Sequence, residues 1–146
     1  MTQLRSFADL EVGEVLELPF RINREQHEAF AALAGDHSLV HSDPEWAHSR
    51  GFDDVIVYGG VLLAKLSHLL GMHMPGGLGV SARWEIDYHA PLYLEEAALL
   101  VGELERKSEA TRTVKIKYRI HAGERLIASG VARSLVLDDT LDDRAP

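Results

Sequence analysis

The sequence predicts an α+β domain in which an antiparallel sheet wraps around one buried helix, and three observations carry that expectation. The segment Gly59 to Met72, GGVLLAKLSHLLGM, is apolar on nearly every side, so as a helix it belongs in an interior. The segments that follow alternate with period two. Ala82, Trp84, Ile86 and Tyr88 stand against Arg83, Glu85, Asp87 and His89, and Val114, Ile116, Tyr118 and Ile120 against Lys115, Lys117, Arg119 and His121. One strand precedes the helix and four follow it, an order that suits a sheet closing over a single helix.

Each element has its own signal. Glu14 to Ile22 alternates loosely and reads as the first strand. Asn23 can cap a helix that places Phe30, Ala31, Leu33 and Ala34 on one side, and Gly35 is its natural stop. A loop with a helical turn from Pro44 to Arg50 leads to the apolar run Val55 to Val57, and Gly59 and Gly60 open the central helix. MPGG at Met74 to Gly77 breaks that helix, and Ala97 to Leu104 and Leu126 to Val136 supply the other late strands. One domain over residues 1–137 is expected, followed by an acidic, flexible tail over 138–146, where DDTLDDRAP carries four aspartates.

Bulk properties limit the function classes. A chain of 146 residues with 46% hydrophobic and 26% charged residues can bury one core. It has no cysteine, which removes disulfides, thiolate metal sites and thiol nucleophiles and suits a cytoplasmic setting. The start, MTQLRSFADLEVGE, lacks an apolar signal segment, and the longest apolar stretch, Val61 to Leu70, is interrupted by Lys65, Ser67 and His68; neither suits a membrane. A formal charge of −8 argues against nucleic-acid binding.

The chemistry concentrates in GDHSLVHSDP, residues 35–44. Asp36 and His41 are the groups there that can handle protons, while Asp43 reads as the cap of the turn at Pro44. Aspartates at helix ends can equally be caps with no chemical role. His37, His41, Asp43 and His48 offer metal-binding atoms, but their spacing lacks a converging pattern of the HExxH kind, so no metal is expected.

The stretch from Phe30 to Tyr93 resembles the MaoC-like family of (R)-specific enoyl-CoA hydratases and dehydratases. The similarity rests on FAALAGDHSLVHSD at Phe30 to Asp43, Phe52, and IVYGGVL at Ile56 to Leu62, framed by FADLEVGE and DYHAPLYLEE. Three positions depart from the family pattern: Ser38 stands where asparagine is usual, Leu39 where proline is usual, and Tyr58 where histidine is usual. The resemblance implies a hot-dog fold, a homodimer that joins two sheets, an acyl-CoA or acyl-carrier thioester as substrate, and no cofactor. It also implies syn addition of water giving an (R)-3-hydroxyacyl product.

Adding water to an α,β-unsaturated thioester requires a proton acceptor, a donor to the α carbon, and hydrogen-bond donors for charge on the thioester oxygen. Asp36 is expected as general base, with His41 positioning the water and relaying its proton. The resemblance assigns the oxygen to the Gly59 N–H, at a helix start where free N–H groups and the dipole's positive end coincide. Ser38, Tyr58 and Gly60 are expected beside the substrate. Ser67 and Leu70 match positions that line the acyl pocket in the family, while Leu63 and Leu66 fit pocket or core equally.

Seven of the fifteen lysines and arginines lie between Arg106 and Arg125, and Lys115, Lys117 and Arg119 share a strand face that reads as a solvated surface. Thioesterases and carrier-protein dehydratases of this fold place an acid on the central helix, and GGVLLAKLSHLLGM has none. The alternative to a hydratase is a non-catalytic acyl-CoA-binding or structural subunit, a reading that Ser38 and Leu39 keep open.

Overall fold

The computed structural model describes residues 4–137; the tail expected over 138–146 lies outside them. Strand β1 (Val15–Phe20) is followed by helices α1 (Arg24–Ala34), α2 (Leu39–Ser42), α3 (Pro44–Ser49) and α4 (Gly59–Met72), then by strands β2 (Gly79–Tyr88), β3 (Ala98–Ser108), β4 (Thr113–Ala122) and β5 (Arg125–Val136). The strands form one antiparallel sheet in the order β1-β3-β4-β5-β2.

Local chemistry accounts for the boundaries. The Asn23 side chain accepts from Gln26 N at 2.9 Å while Gln26 Oε1 accepts from Asn23 N, so two otherwise unpaired N–H groups of α1 are satisfied. Gly35 ends α1 in the left-handed region, φ 68°, with its N–H on the Ala31 carbonyl. Asp43 caps α3 by accepting from Trp46 N at 3.0 Å, and Pro44 fills the first helical position, where no N–H is needed.

Helix α4 lies against the sheet through Leu62, Leu66, Leu69 and Leu70, which meet Leu100, Leu104, Ile116 and Ile120 in the core. Leu69 sits on Gly102, where a Cβ would stand 2.8 Å from Leu69 Cδ1, so the helix approaches β3 over a missing side chain. Burying each such leucine contributes roughly 1.5–3 kcal/mol. The expectation that α4 is covered on most sides is corrected: Ala64, Ser67, His68 and Gly71 are exposed, because the sheet of one chain covers only one face of the helix.

The alternation in β4 appears as alternating burial, with Val114, Ile116, Tyr118 and Ile120 inside. In β2 it does not. Trp84 and Tyr88 remain partly exposed on β2, which is an edge strand of the sheet. Val55 to Val57 contributes only an isolated bridge between Ile56 and Tyr93, and Leu39–Ser42 adds a short helix within the stretch read as loop.

Candidate active site

Helix α2 and the start of α4 border a cavity of about 430 Å³, whose lining includes His41, Gly59, Leu62, Tyr88 and Leu92. Its walls are mostly apolar. His41 Nδ1 lies 2.7 Å from the Ile56 carbonyl, which can only accept, so Nδ1 carries the hydrogen and Nε2 of the neutral ring keeps a free lone pair. No protein group among the described residues engages that nitrogen.

Gly59 is the first residue of α4, and neither its N–H nor that of Gly60 meets a backbone acceptor; the first N–H in use, that of Val61, donates to the Tyr58 carbonyl. A Cβ at Gly59 would stand 2.7 Å from Tyr88 Cζ and Oη, so the absent side chain lets the tip of the Tyr88 ring pack directly against the start of the helix. A Cβ at Gly60 would meet Phe30 Cζ at 2.2 Å. Gly60 therefore packs beneath α1 and does not line the cavity.

Asp36 is exposed and is not among the residues that line the cavity. Its Oδ1 accepts from Ser38 N at 3.0 Å and from Ser38 Oγ in a short hydrogen bond, which leaves Oδ2 unengaged. The Ser38 hydroxyl first, then the Ser38 N–H, hold the Asp36 pKa below the usual carboxylate range, with smaller help from His41 and His37. Asp36 is thus a carboxylate at neutral pH.

Tyr58 joins these groups from below. It is 2% exposed, its ring lies 4.0 Å from that of His41, and its hydroxyl donates to the Asp36 carbonyl at 2.7 Å. Burial first, and the Asp36 charge second, raise its pKa, so it stays a neutral donor.

The structure thus links Asp36, Ser38, Tyr58 and His41 and places His41 and Gly59 on the cavity wall, while Asp36, Ser38 and Tyr58 stand behind that wall and Ser67 and Leu70 do not reach the cavity. Ser67 is exposed because it lies on the side of α4 turned away from Leu62, and Leu70 is in the core because, although it shares a face with Gly59, it lies about three turns further along the axis, beyond the end of the cavity. Of the groups weighed as metal ligands, Asp43 is spent on capping α3 and His48 Nε2 on the Asp53 carbonyl at 2.6 Å.

His27 was not singled out from the sequence. It is 5% exposed, and its Nε2 contacts the His41 carbonyl at 2.9 Å. The signal that could have found it is spacing, since residue 27 lies one turn before Phe30 and Ala31 on the apolar face of α1.

A sheet wrapped on one helix, with a histidine and a helix start at one cavity and a carboxylate whose charge is felt by that histidine, defines a hot-dog protein equipped for proton transfer. Residues 9–124 match the family model of the MaoC like domain, and the chain belongs to this family. It is 31% identical over 115 residues to an (R)-specific enoyl-CoA hydratase of Aeromonas caviae, covering 76% of this chain and 86% of that one. It is 30% identical over 122 residues to a mitochondrial 3-hydroxyacyl-[acyl-carrier-protein] dehydratase of Arabidopsis thaliana, covering 79% and 69%. The solved (R)-hydratase from A. caviae involved in PHA biosynthesis superposes with a TM-score of 0.83 at 28% identity, over 88% of this chain and 98% of that one. The protein is an enzyme of the hydro-lyase class, and its chemistry is addition or removal of water.

Proposed function

We propose that the protein interconverts a trans-2-enoyl thioester and the (R)-3-hydroxyacyl thioester, with Asp36 and His41 holding the water and Gly59 N–H receiving the thioester oxygen. The observation that carries this reading is the pair of open acceptors. Neutral His41 Nε2 and Asp36 Oδ2 each accept one hydrogen bond, and a water that donates both of its hydrogens presents its oxygen lone pairs to C3. As the C3–O bond forms, Asp36 takes one proton from the water and returns it to C2. The other hydrogen stays on the new hydroxyl. Charge on the thioester oxygen in between falls to the N–H groups at the start of α4.

The apolar walls fit an acyl chain, and the thioester is carried by coenzyme A or by a carrier protein. A second copy of the chain completes the site in this reading. Edge strand β2 leaves Val80 48% and Tyr88 52% exposed, and Tyr88 also lines the cavity, so a partner along that edge would cover apolar surface and close the pocket together.

The test is loss of enoyl absorbance with crotonyl-CoA and a longer trans-2-enoyl-CoA. Wild type should convert at least one of them, and Asp36→Asn and His41→Ala, both folded, should be slowed by ~100-fold or more. A folded wild-type dimer that binds acyl-CoA without converting either substrate would replace this reading with that of a binding subunit.

A further inference from the structure

We infer that His27 and Tyr58 are a pair of positioning residues, each holding one of the two proton-handling residues by its backbone carbonyl; this rests on the roles proposed above for Asp36 and His41. Tyr58 donates its hydroxyl to the Asp36 carbonyl at 2.7 Å, and His27 Nε2 meets the His41 carbonyl at 2.9 Å. A carbonyl only accepts, so His27 Nε2 carries the hydrogen in this contact. The two rings lie 4.6 Å apart, and Tyr58 also packs 4.0 Å from the His41 ring. Asp36 and His41 are thus fixed to one buried aromatic block that spans α1 and the start of α4.

Two features separate this arrangement from ordinary core packing. The Tyr58 hydroxyl and His27 Nε2 are both aimed at backbone carbonyls of the two proton-handling residues. His27 Nδ1 is buried with no hydrogen-bond partner among the described residues, which is costly for a polar atom in a core. An apolar side chain would fill the same volume without that cost. The imidazole gives in return an N–H on the His41 carbonyl, reached from one turn of α1.

The loop itself needs such posts. Asp36 and Ser38 are exposed, and Leu39, where proline would fix the backbone, leaves φ free. The segment from Asp36 to His41 is held from beneath at its two ends, by Tyr58 and by His27, with the His41 ring itself tied to Ile56 O. Tyr58 has the reach for this contact because its hydroxyl lies beyond the ring.

The experiment compares Tyr58→Phe, His27→Leu and His27→Gln in the full chain. Tyr58→Phe keeps the ring stack and removes the donor, and His27→Gln keeps a donor near Nε2 that His27→Leu lacks. Losing one such hydrogen bond corresponds to ~2-fold to 12-fold in a geometry-dependent step. Tyr58→Phe and His27→Leu should therefore lower kcat by that factor with KM within about twofold, and His27→Gln should recover most of it. The His41 ring nitrogens, followed by NMR, should shift or broaden in Tyr58→Phe and His27→Leu while the remaining spectrum keeps its dispersion. Lower thermal stability with unchanged kcat and unchanged His41 signals would overturn the inference and leave packing only. Absence of turnover in wild type would defeat the proposed reaction instead, and the His41 signals would still decide whether the two residues position the ring.

Discussion

Replacing Gly60 by alanine should open the joint between α1 and α4, and its size can be worked from the structure. The added Cβ would stand 2.2, 2.8 and 3.2 Å from Phe30 Cζ, Cε2 and Cε1. Ordinary carbon contacts begin near ~3.5 Å, so the closest pair is short by about 1.3 Å. Phe30 can relieve the clash only by tilting into the space beside Leu33, Val61 and Ala64, which costs its packing 5.2 Å from the Tyr58 ring. Overpacking of this kind costs ~1–3 kcal/mol, and alanine's better helix propensity returns up to ~1. A net loss of ~1–2 kcal/mol corresponds to a Tm lower by ~2–8 °C in a domain of this size. Because Tyr58 packs on His41, kcat should fall too. Scanning calorimetry of Gly60→Ala, Phe30→Leu and the double variant checks the cause, since the smaller leucine side chain in place of Phe30 should accept the new methyl. The double variant should then be more stable than the sum of the single losses allows. Strict additivity, or a Gly60→Ala protein as stable as wild type, would refute the reasoning.

Other expected outcomes concern charge and buried polar groups. Ser38→Ala removes the hydroxyl that contributes most to lowering the Asp36 pKa; that pKa should rise, seen by carboxyl NMR titration, and the acid limb of kcat/KM should move to higher pH. The sign follows from linkage: the folded-state value of Asp36 is depressed, so its contribution to stability is fully present above the unfolded-state pKa and lost as pH falls through the folded one. On the outer face of the sheet Arg106 pairs with Lys115, Lys115 with Arg133 and Arg133 with Arg83, four cations in one cross-strand row, with carboxylates only on Lys115 (Glu105, 2.8 Å) and Arg83 (Glu85, 2.7 Å) among the described residues. Arg133→Thr should stabilise the protein by ~0.2–1 kcal/mol at low salt, a gain that shrinks as sodium chloride is added during urea unfolding. Tyr118→Phe, which removes the hydroxyl that donates to the Glu85 carbonyl at 2.6 Å between β4 and β2, should cost ~1 kcal/mol in the same assay.

The sequence carried the architecture because periodicity and helix punctuation are local. Asn23, Gly35, Asp43 and Gly59 stand where the chain turns into or out of a helix, and each does in the structure what its chemistry suggests. The exposure of β2 and of one side of α4 was not legible, since alternation shows that a strand has two faces and not whether this chain covers one of them. In the candidate site, Asp36, His41 and Gly59 were singled out through the resemblance to a family pattern, since spacing alone left Asp36 equally readable as a helix cap. The role of Tyr58 as a buried link was not, because an aromatic with a polar tip fits a pocket wall and a core post equally. His27 was missed for the opposite reason: its contact with His41 crosses fourteen positions and depends on how α1 lies over α4, which a local pattern does not encode. Ser67 and Leu70 show the limit of helical spacing, which orders residues around an axis without saying where the cavity ends.

The most direct test of the account is to run the hydration of a trans-2-enoyl-CoA in D2O and determine the configuration at C3 and the placement of deuterium at C2. One water held by Asp36 and His41 on one side of the substrate predicts an (R)-3-hydroxyacyl product with a single deuterium added syn to the new hydroxyl, and no such product from Asp36→Asn. An (S) product, anti addition, or undiminished conversion by Asp36→Asn would contradict it.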